Sequence, residues 1–144
     1  MAVPARLSIV TLGVADLARA EAFYAALGWH RSSASVEGVI AWFLTADTAI
    51  GLFPNEDLAA DARVPSERGP FGGITLAINV DEPGDVAAAL AEAEAAGATV
   101  LKPATPTDFG AVSGYFADPD GHPWEVCWNP GFPIDPDGRL RIPV

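Results

Sequence analysis

The chain has 144 residues, with 19 acidic and 8 basic side chains and a formal net charge of -11. This charge disfavours nucleic acid as a partner, because the phosphate backbone is itself anionic, and a hydrophobic content of 50% suffices for the core of one domain. No uncharged run approaches the roughly 20 residues of a membrane span, no signal-peptide pattern is expected at the start, and a single cysteine, Cys127, excludes an internal disulfide. We therefore expect a folded cytoplasmic protein that does not bind membranes.

Residues 5–54 predict one strand, one helix and then three strands. The opening RLSIVTLGVAD is rich in β-branched residues, which favours a strand. Asp16 is placed to cap the following helix, and Gly28 is placed to end it. Between Trp29 and Phe53, three stretches of β composition are separated by turn residues.

A polar stretch with several prolines over residues 55–70 predicts a linker that contains one short helix, NEDLAADAR. The order of elements then starts again. We expect a strand over Phe71–Val80, a helix with Pro83 in its first turn and Gly97 at its end, and three more strands up to residue 130.

The sequence thus contains the pattern βαβββ twice, in module one (about residues 5–54) and module two (about residues 71–130). Neither module closes its sheet alone, so an internal repeat of this kind predicts two units that bury each other's apolar faces. The predicted fold is α+β, a single domain over residues 1–144 with a curved, cup-like mixed sheet. A turn-rich tail over residues 131–144 would cover a sheet edge or contact a second subunit.

Glu125 is the most informative polar residue, because it interrupts the apolar strand PWEVCW. A buried carboxylate without a partner costs several kcal/mol. It must be hydrogen-bonded, protonated, bound to a cation, or placed at the mouth of a water-filled cup. Strand alternation predicts that Glu125 and Cys127 share one face and that Trp124 and Val126 share the other.

Other residues on the inner strands are candidates for the lining of the cup. Aromatic side chains there could stack on a flat or cationic ligand, although core packing is the commoner role of an aromatic residue. Asparagine is disfavoured within a strand, and no base lies at a spacing that would make the cysteine a nucleophile. The candidates, together with Glu125, are Thr11, Trp42, Phe53, Thr75, Asn79, Tyr115 and Cys127.

Three segments carry a resemblance to a known superfamily: VTLGVADLARAEAFYAALGW, ITLAINVDEPGDVAAALAEAEAAG and GYFADPDGHPWEVCWNP. Together they resemble the vicinal oxygen chelate superfamily, which includes glyoxalases, bleomycin-resistance proteins, fosfomycin-resistance enzymes and extradiol dioxygenases. The resemblance covers about residues 5–130 and implies paired βαβββ modules that form a cup, commonly in a homodimer. In metal-dependent members it implies imidazole or carboxylate ligands on the inner strands.

The four ligand positions that the resemblance implies fall on Ile9, Gly51, Thr75 and Glu125. A catalytic divalent metal usually takes three protein ligands. Ile9 and Gly51 offer no side-chain donor, and Thr75 offers a weak neutral one. We therefore predict no metal and no other cofactor, with nickel, zinc, manganese or iron as the alternative. His30 and His122, both expected near the surface, do not supply the missing ligands.

The segment around Glu125 also resembles part of the extradiol dioxygenase signature. Tyr115, Asp118, Pro119, Gly121 and Glu125 match it, but the upstream histidine is missing, and glycine stands before the tyrosine where the signature has a hydrophobic residue. Iron-dependent ring cleavage is accordingly not favoured.

The leading hypothesis is a metal-free protein of the bleomycin-resistance type that sequesters a small molecule in the cup. A net charge of -11 agrees with a cationic guest. The alternative is a metal-dependent glyoxalase-type lyase or isomerase, or a dioxygenase, in which Glu125 is a metal ligand or a catalytic general base. A catalytically silent scaffold is a third possibility.

Overall fold

The computed structural model describes residue 3, residues 5–67 and residues 69–144. The chain divides into two compact units, Met1–Ser66 and Glu67–Val144. The division falls inside the predicted linker of residues 55–70. Each unit is described by itself, and the assembly of the two modules into one cup-like domain stays a prediction.

The first unit contains four strands and two helices among its described residues. In chain order they are β1 (Ile9–Val14), α1 (Leu17–Ala26), β2 (His30–Arg31), β3 (Ala41–Leu44), β4 (Ala49–Pro54) and α2 (Asn55–Ala62). The sheet has the order β1-β4-β3-β2. Strand β1 is parallel to β4, whereas β3 is antiparallel to both β4 and β2. The short helix predicted inside the linker is α2.

The second unit repeats this topology. Its elements are β5 (Leu76–Asn79), α3 (Gly84–Ala95), β6 (Thr99–Pro106), β7 (Val112–Ala117) and β8 (Pro123–Trp128). The sheet order is β5-β8-β7-β6, with β5 parallel to β8 and the other pairs antiparallel. The predicted α+β class and the repeated βαβββ order are therefore confirmed, and each four-stranded sheet is open.

Local chemistry fixes the helix ends that the sequence predicted. Asp16 is the N-cap of α1, and its Oδ1 accepts a hydrogen bond from the backbone N–H of Arg19 at 3.1 Å. Gly28 and Gly97, which follow α1 and α3, have φ angles of 82° and 115°. Glycine adopts such angles without steric cost, so both helices stop where the sequence indicated.

The apolar core of each unit lies between its sheet and its first helix. In the first unit, Phe23 and Tyr24 of α1 are buried, and the Tyr24 ring lies 6.0 Å from that of Phe43 on β3. In the second unit, Val86 and Leu90 of α3 are buried on the sheet side. Each sheet therefore has one face that is committed to a helix and one face that is left for other contacts.

The strand predicted over Phe71–Val80 is shorter than expected, because β5 begins only at Leu76. Gly73 has a φ of 79°, outside the extended range. Phe71 and Ile74 are 63% and 67% exposed, so no packing holds this stretch in a sheet. Thr75 consequently lies just before the strand rather than within it.

The tetrapeptide Asp-Pro-Asp-Gly occurs twice and folds in the same way both times. In the turn before β8, Asp118 Oδ1 accepts hydrogen bonds from the backbone N–H groups of Asp120 and His122, both at 2.9 Å. In the tail, Asp135 Oδ1 accepts from Asp137 at 3.0 Å and from Arg139 at 2.9 Å. Both turns are fixed by local side-chain-to-backbone bonding.

Within the described part of the chain, the helices are too short or too polar to cross a lipid bilayer.

Candidate functional site

The face of the second sheet opposite α3 carries a row of polar side chains. On the central strand β8, Glu125 and Cys127 point to this face, while Trp124 and Val126 are 4% and 0% exposed on the helix side. The alternation predicted for this strand is thus confirmed. The register places Tyr115 of β7 beside Glu125.

The same register adds further neighbours across the sheet. Cys127 lies between Ser113 of β7 and Asn79 of β5. Antiparallel and parallel partners bring same-face side chains within about 5 Å of each other at the Cβ atoms. We call Ser113, Tyr115, Glu125 and Cys127 the Glu125 cluster.

The carboxylate of Glu125 is held by a hydroxyl group of the neighbouring strand. Ser113 Oγ donates a hydrogen bond to Glu125 Oε2 at 2.6 Å, and Ser113 is only 5% exposed. Tyr115 lies beside Glu125 in the β7–β8 register, close enough to interact with its carboxylate. The carboxylate of Glu125 therefore has the hydrogen-bond partner that its place in the strand requires, and the neighbouring strand β7 supplies it. Hydrogen bonds to a charged acceptor are short and strong, so the carboxylate has a fixed orientation.

Burial and the neighbouring Glu125 both raise the pKa values of Tyr115 and Cys127. Burial raises the pKa of Tyr115, and the charge of Glu125, the hydrogen bond to it and the nearby Cys127 raise it further. Burial likewise raises the pKa of the Cys127 thiol, with a second contribution from Glu125. Both groups are therefore neutral at pH 7, and Glu125 is the one residue of the cluster that can carry negative charge there.

The cluster can therefore act as a fixed acceptor for a positively charged or hydrogen-bond-donating ligand. An ionised carboxylate offers about four acceptor positions on its two oxygens, and the Ser113 hydroxyl takes one of them. Asn79, half-buried on β5, adds an amide that both donates and accepts. This arrangement favours recognition of a small polar group over nucleophilic chemistry, because the thiol stays protonated.

In the first unit, an aromatic ring occupies the centre of the equivalent face. Gly51 occupies the place of Glu125: it lies on the central strand β4 and pairs with Thr11 of β1 and Trp42 of β3. A Cβ atom on Gly51 would lie 2.5 Å from Cζ3 of Trp42 and 3.1 Å from the Thr11 hydroxyl. The Trp42 ring thus covers the space that a side chain at this position would need. Phe53, two residues further along β4, faces the same way.

The four ligand positions implied by the sequence resemblance do not form a metal site of the usual kind. Ile9 is 46% exposed and has no donor atom, Gly51 is covered by Trp42, and Thr75 is exposed outside β5. Only Glu125 offers a charged ligand. Across the described residues, no three or more His, Cys, Asp or Glu side chains are grouped so that they could hold a metal ion. The donors present therefore do not fit a catalytic divalent metal.

The two histidines lie apart from the Glu125 cluster. His30 is exposed on the short strand β2, as predicted. His122 is half-buried in the turn before β8, where its backbone N–H donates to Asp118 Oδ1.

The eight residues proposed from sequence to line a site are thus divided between the units. Tyr115, Asn79, Glu125 and Cys127 share one face of the second sheet, and Thr11, Trp42 and Phe53 share one face of the first. Thr75 lies outside the strand that was expected to contain it.

Sequence reasoning missed Ser113, the buried donor to Glu125. A usable signal was present in the hairpin before β8. Asp118 N–H donates to the carbonyl of His122 at 3.0 Å, which closes the turn. Counting back from that turn pairs Tyr115 with Glu125 and Ser113 with Cys127.

The glycine that departs from the dioxygenase signature has a packing role. A Cβ atom on Gly114 would lie 2.6 Å from Leu90 Cδ1 and 2.9 Å from the carbonyl oxygen of Lys102. Gly114 therefore lets α3 approach the sheet beneath the Glu125 cluster, and a larger hydrophobic residue would not fit there.

Comparisons with known proteins agree with this architecture. Residues 6–126 match the sequence profile of the Glyoxalase/Bleomycin resistance protein/Dioxygenase superfamily. No curated protein matches the chain in sequence. Among solved structures, a glyoxalase-related enzyme from Fulvimarina pelagi is 30% identical, with a TM-score of 0.87 over 98% of this chain and 100% of that one.

Two further solved structures share the fold at lower identity. A glyoxalase/bleomycin resistance protein/dioxygenase family enzyme from Burkholderia phytofirmans PsJN is 22% identical, with a TM-score of 0.73 over 84% of this chain and 96% of that one. A lactoylglutathione lyase from Agrobacterium tumefaciens is 24% identical, with a TM-score of 0.67 over 88% of this chain and 95% of that one.

Proposed function

The chain belongs to the glyoxalase/bleomycin resistance protein/dioxygenase superfamily, and from that premise we propose that it binds a small cationic molecule at the Glu125 cluster without a metal ion. The observation that carries the proposal is the carboxylate of Glu125, oriented by Ser113 and placed beside Tyr115 on the sheet face that no helix of its unit covers. The protein sequesters its ligand and does not transform it.

The charge of the ligand follows from the composition of the cluster. Tyr115 and Cys127 are neutral at pH 7 because the pKa of each is raised. Glu125 therefore sets the local sign of the potential, and a net charge of -11 on the chain adds attraction over a longer range. An ammonium or amidinium group would donate hydrogen bonds directly to the free acceptor positions of the carboxylate.

The absence of a fitting donor set supports the metal-free form of the proposal. Gly51 and Ile9 supply no ligand atoms, so a metal at this site would rest on Glu125 and neutral hydroxyl groups. Such a set binds first-row divalent metals weakly. The enzymatic alternative, a metal-dependent lyase, isomerase or dioxygenase that uses Glu125, draws support from the name of the Fulvimarina pelagi relative.

A matched trio of probes tests the proposed ligand class: 2-phenylethylamine, 2-phenylethanol and phenylacetate, which share one skeleton and differ in charge. We expect calorimetry to rank the amine tightest and phenylacetate weakest. Glu125→Gln should weaken amine binding by about tenfold or more, since it removes a charge-assisted hydrogen bond. The control is Glu92→Gln on the exposed face of α3, which changes the net charge by the same amount and should leave the affinity unchanged.

Equal affinity of Glu125→Gln and the unaltered protein for the amine would overturn the proposed site. Recovery of the amine unchanged after long incubation, checked by mass spectrometry, is the expected result for a sequestering protein. The metal content of the purified protein should also be measured. If the protein holds one equivalent of nickel, zinc, manganese or iron and Glu125→Gln holds none, the metal-dependent enzyme is the better description.

We also propose that the protein is a cytoplasmic homodimer. Exposed apolar side chains support the dimer, because Leu7 and Ile9 at the β1 edge are 70% and 46% exposed. An uncovered edge strand tends to pair with another chain, and a second subunit would cover these side chains. The cytoplasmic location rests on the use of a single free cysteine. Light scattering behind a sizing column should give twice the mass of the 14.9 kDa chain.

A further inference from the structure

A cavity lies at the far end of β8, away from the Glu125 cluster. It has a volume of about 240 Å³. The loop that follows β5, the end of β8 and the turn-rich tail form its walls, through Val80, Asp81, Trp128, Asn129, Pro130, Phe132, Pro133 and Ile134. Trp128 is three residues beyond Glu125, which is about 10 Å along a strand, and alternation points it to the opposite face.

The walls of this cavity are fixed by backbone hydrogen bonds. Val80 N–H donates to the carbonyl of Cys127 at 2.9 Å, which extends the β5–β8 pairing past the end of β5. Phe132 N–H donates to the carbonyl of Asn129 at 3.0 Å, and Asn129 Oδ1 accepts from Gly131 N–H at 2.9 Å. The tail is held in place as well, because Arg141 N–H donates to the carbonyl of Pro133 at 2.8 Å. The cavity is therefore formed before any ligand arrives.

The chemistry of the walls is that of a site for an organic cation. Trp128 and Phe132 supply aromatic rings, and the prolines supply apolar surface. Asp81 is the one ionisable residue in the lining, and it is exposed. Aromatic rings beside a carboxylate attract a cation through the quadrupole of the ring and through direct charge.

One basic residue of the tail, Arg141, is paired with a carboxylate of the tail itself. The Nε of Arg141 donates to Asp135 Oδ2 at 3.0 Å, so its guanidinium group is bound within the tail hairpin. The backbone hydrogen bond from Arg139, together with the Arg141 pairing, holds the pKa of Asp135 below its ordinary range. Asp81 is the charged residue in the lining of the cavity, in a chain whose net charge is -11.

We propose that this cavity is a second binding site, for a compact organic ammonium ion with apolar substituents, which would contact Trp128, Phe132 and Asp81 in the lining. A quaternary ammonium group suits it because such a group needs no hydrogen-bond partners and gains from contact with aromatic faces. The site is independent of the function proposed for the Glu125 cluster.

Choline is the probe, and 3,3-dimethylbutan-1-ol, which has the same shape without the charge, is its control. In a nuclear magnetic resonance titration we expect choline to shift the indole N–H of Trp128 and the backbone signals of residues 129–134. The neutral alcohol should bind at least tenfold more weakly. Asp81→Asn should weaken choline binding several-fold, and Phe132→Leu should weaken it further, whereas Glu92→Gln on the exposed face of α3 should not change it.

Equal binding of choline and the alcohol would overturn the proposal, since charge would then play no part. Choline-induced shifts that appear around Tyr115 but not at Trp128 or residues 129–134 would also overturn it, because the cation would then be bound by the Glu125 cluster alone. Phe132 lies in the tail and outside the sheets. Its substitution therefore tests the cavity without changing a strand residue.

Discussion

The two units carry the same βαβββ topology but opposite chemistry on the equivalent sheet face. At the centre of the second sheet, Glu125 accepts a hydrogen bond from Ser113 and lies beside Tyr115. At the centre of the first, Gly51 lies beneath the ring of Trp42. The two units therefore keep the same backbone pairing, while the side chains on their equivalent faces have different uses.

The difference has a simple physical basis. Topology depends on backbone hydrogen bonds and on the apolar face that packs against a helix, and both units retain these features. The other face contributes little to that packing, so its residues are free to vary. In one unit this face is filled by an aromatic ring, and in the other it holds an oriented carboxylate.

The largest expected effect comes from placing a side chain at the centre of the first face. Gly51→Ala would bring a methyl group within 2.5 Å of the Trp42 ring. We expect a loss of about 1–3 kcal/mol in the free energy of unfolding, the usual cost of overpacking. Urea denaturation measures it.

Gly72→Ala is the matched control, because no heavy atom lies within 4 Å of a Cβ at that position. It should change stability little. The double variant Gly51→Ala/Trp42→Leu should recover part of the loss, since the two sites are in contact. If Gly51→Ala is as stable as the unaltered protein, the Trp42 ring does not cover this position as described.

A smaller effect is expected from the second face, where Ser113→Ala removes the donor to Glu125 Oε2. A hydrogen bond to a charged group contributes about 1.5–3 kcal/mol, but the half-buried carboxylate regains water, so we expect a loss of about 1 kcal/mol. Calorimetric melting should show this loss, and Ser113→Thr, which keeps the hydroxyl, should show less of it. If Ser113→Ala is as stable as the unaltered protein, Ser113 does not orient Glu125 as described.

The smallest effect concerns the titration of Cys127. Burial and then Glu125 raise its pKa above 9.0, so the folded protein holds the thiol proton more tightly than the unfolded chain does. This contribution to stability is complete below the unfolded pKa and is lost as pH rises through the folded pKa. Tyr115, whose pKa is raised from 10.0, acts in the same direction at higher pH.

Cys127 is the one cysteine of the chain, so the pH dependence of its alkylation by iodoacetamide reports on it directly. The midpoint should lie above the ordinary value for a thiol. Glu125→Gln should move it down partway, because burial, the larger cause, remains. A midpoint that Glu125→Gln leaves in place would show that the carboxylate does not act on the thiol.

Much of this molecule can be derived from the sequence. Hydrophobic alternation in PWEVCW separates Glu125 and Cys127 from Trp124 and Val126, and the helix ends follow from Asp16, Gly28 and Gly97. The repeat is visible because both copies must bury an apolar face against a helix. These features depend on residues close together in the chain, where spacing alone determines which side chains share a face.

The neighbours of each face were decided only by the tertiary structure. The hydrogen bond from Ser113 to Glu125, the position of the Trp42 ring over Gly51 and the late start of β5 depend on how strands pair across the sheet. The cavity beside Trp128 likewise requires the tail to fold back to the loop after β5. Local patterns specify which way a side chain points, but contacts between distant segments require the register and packing of the folded chain.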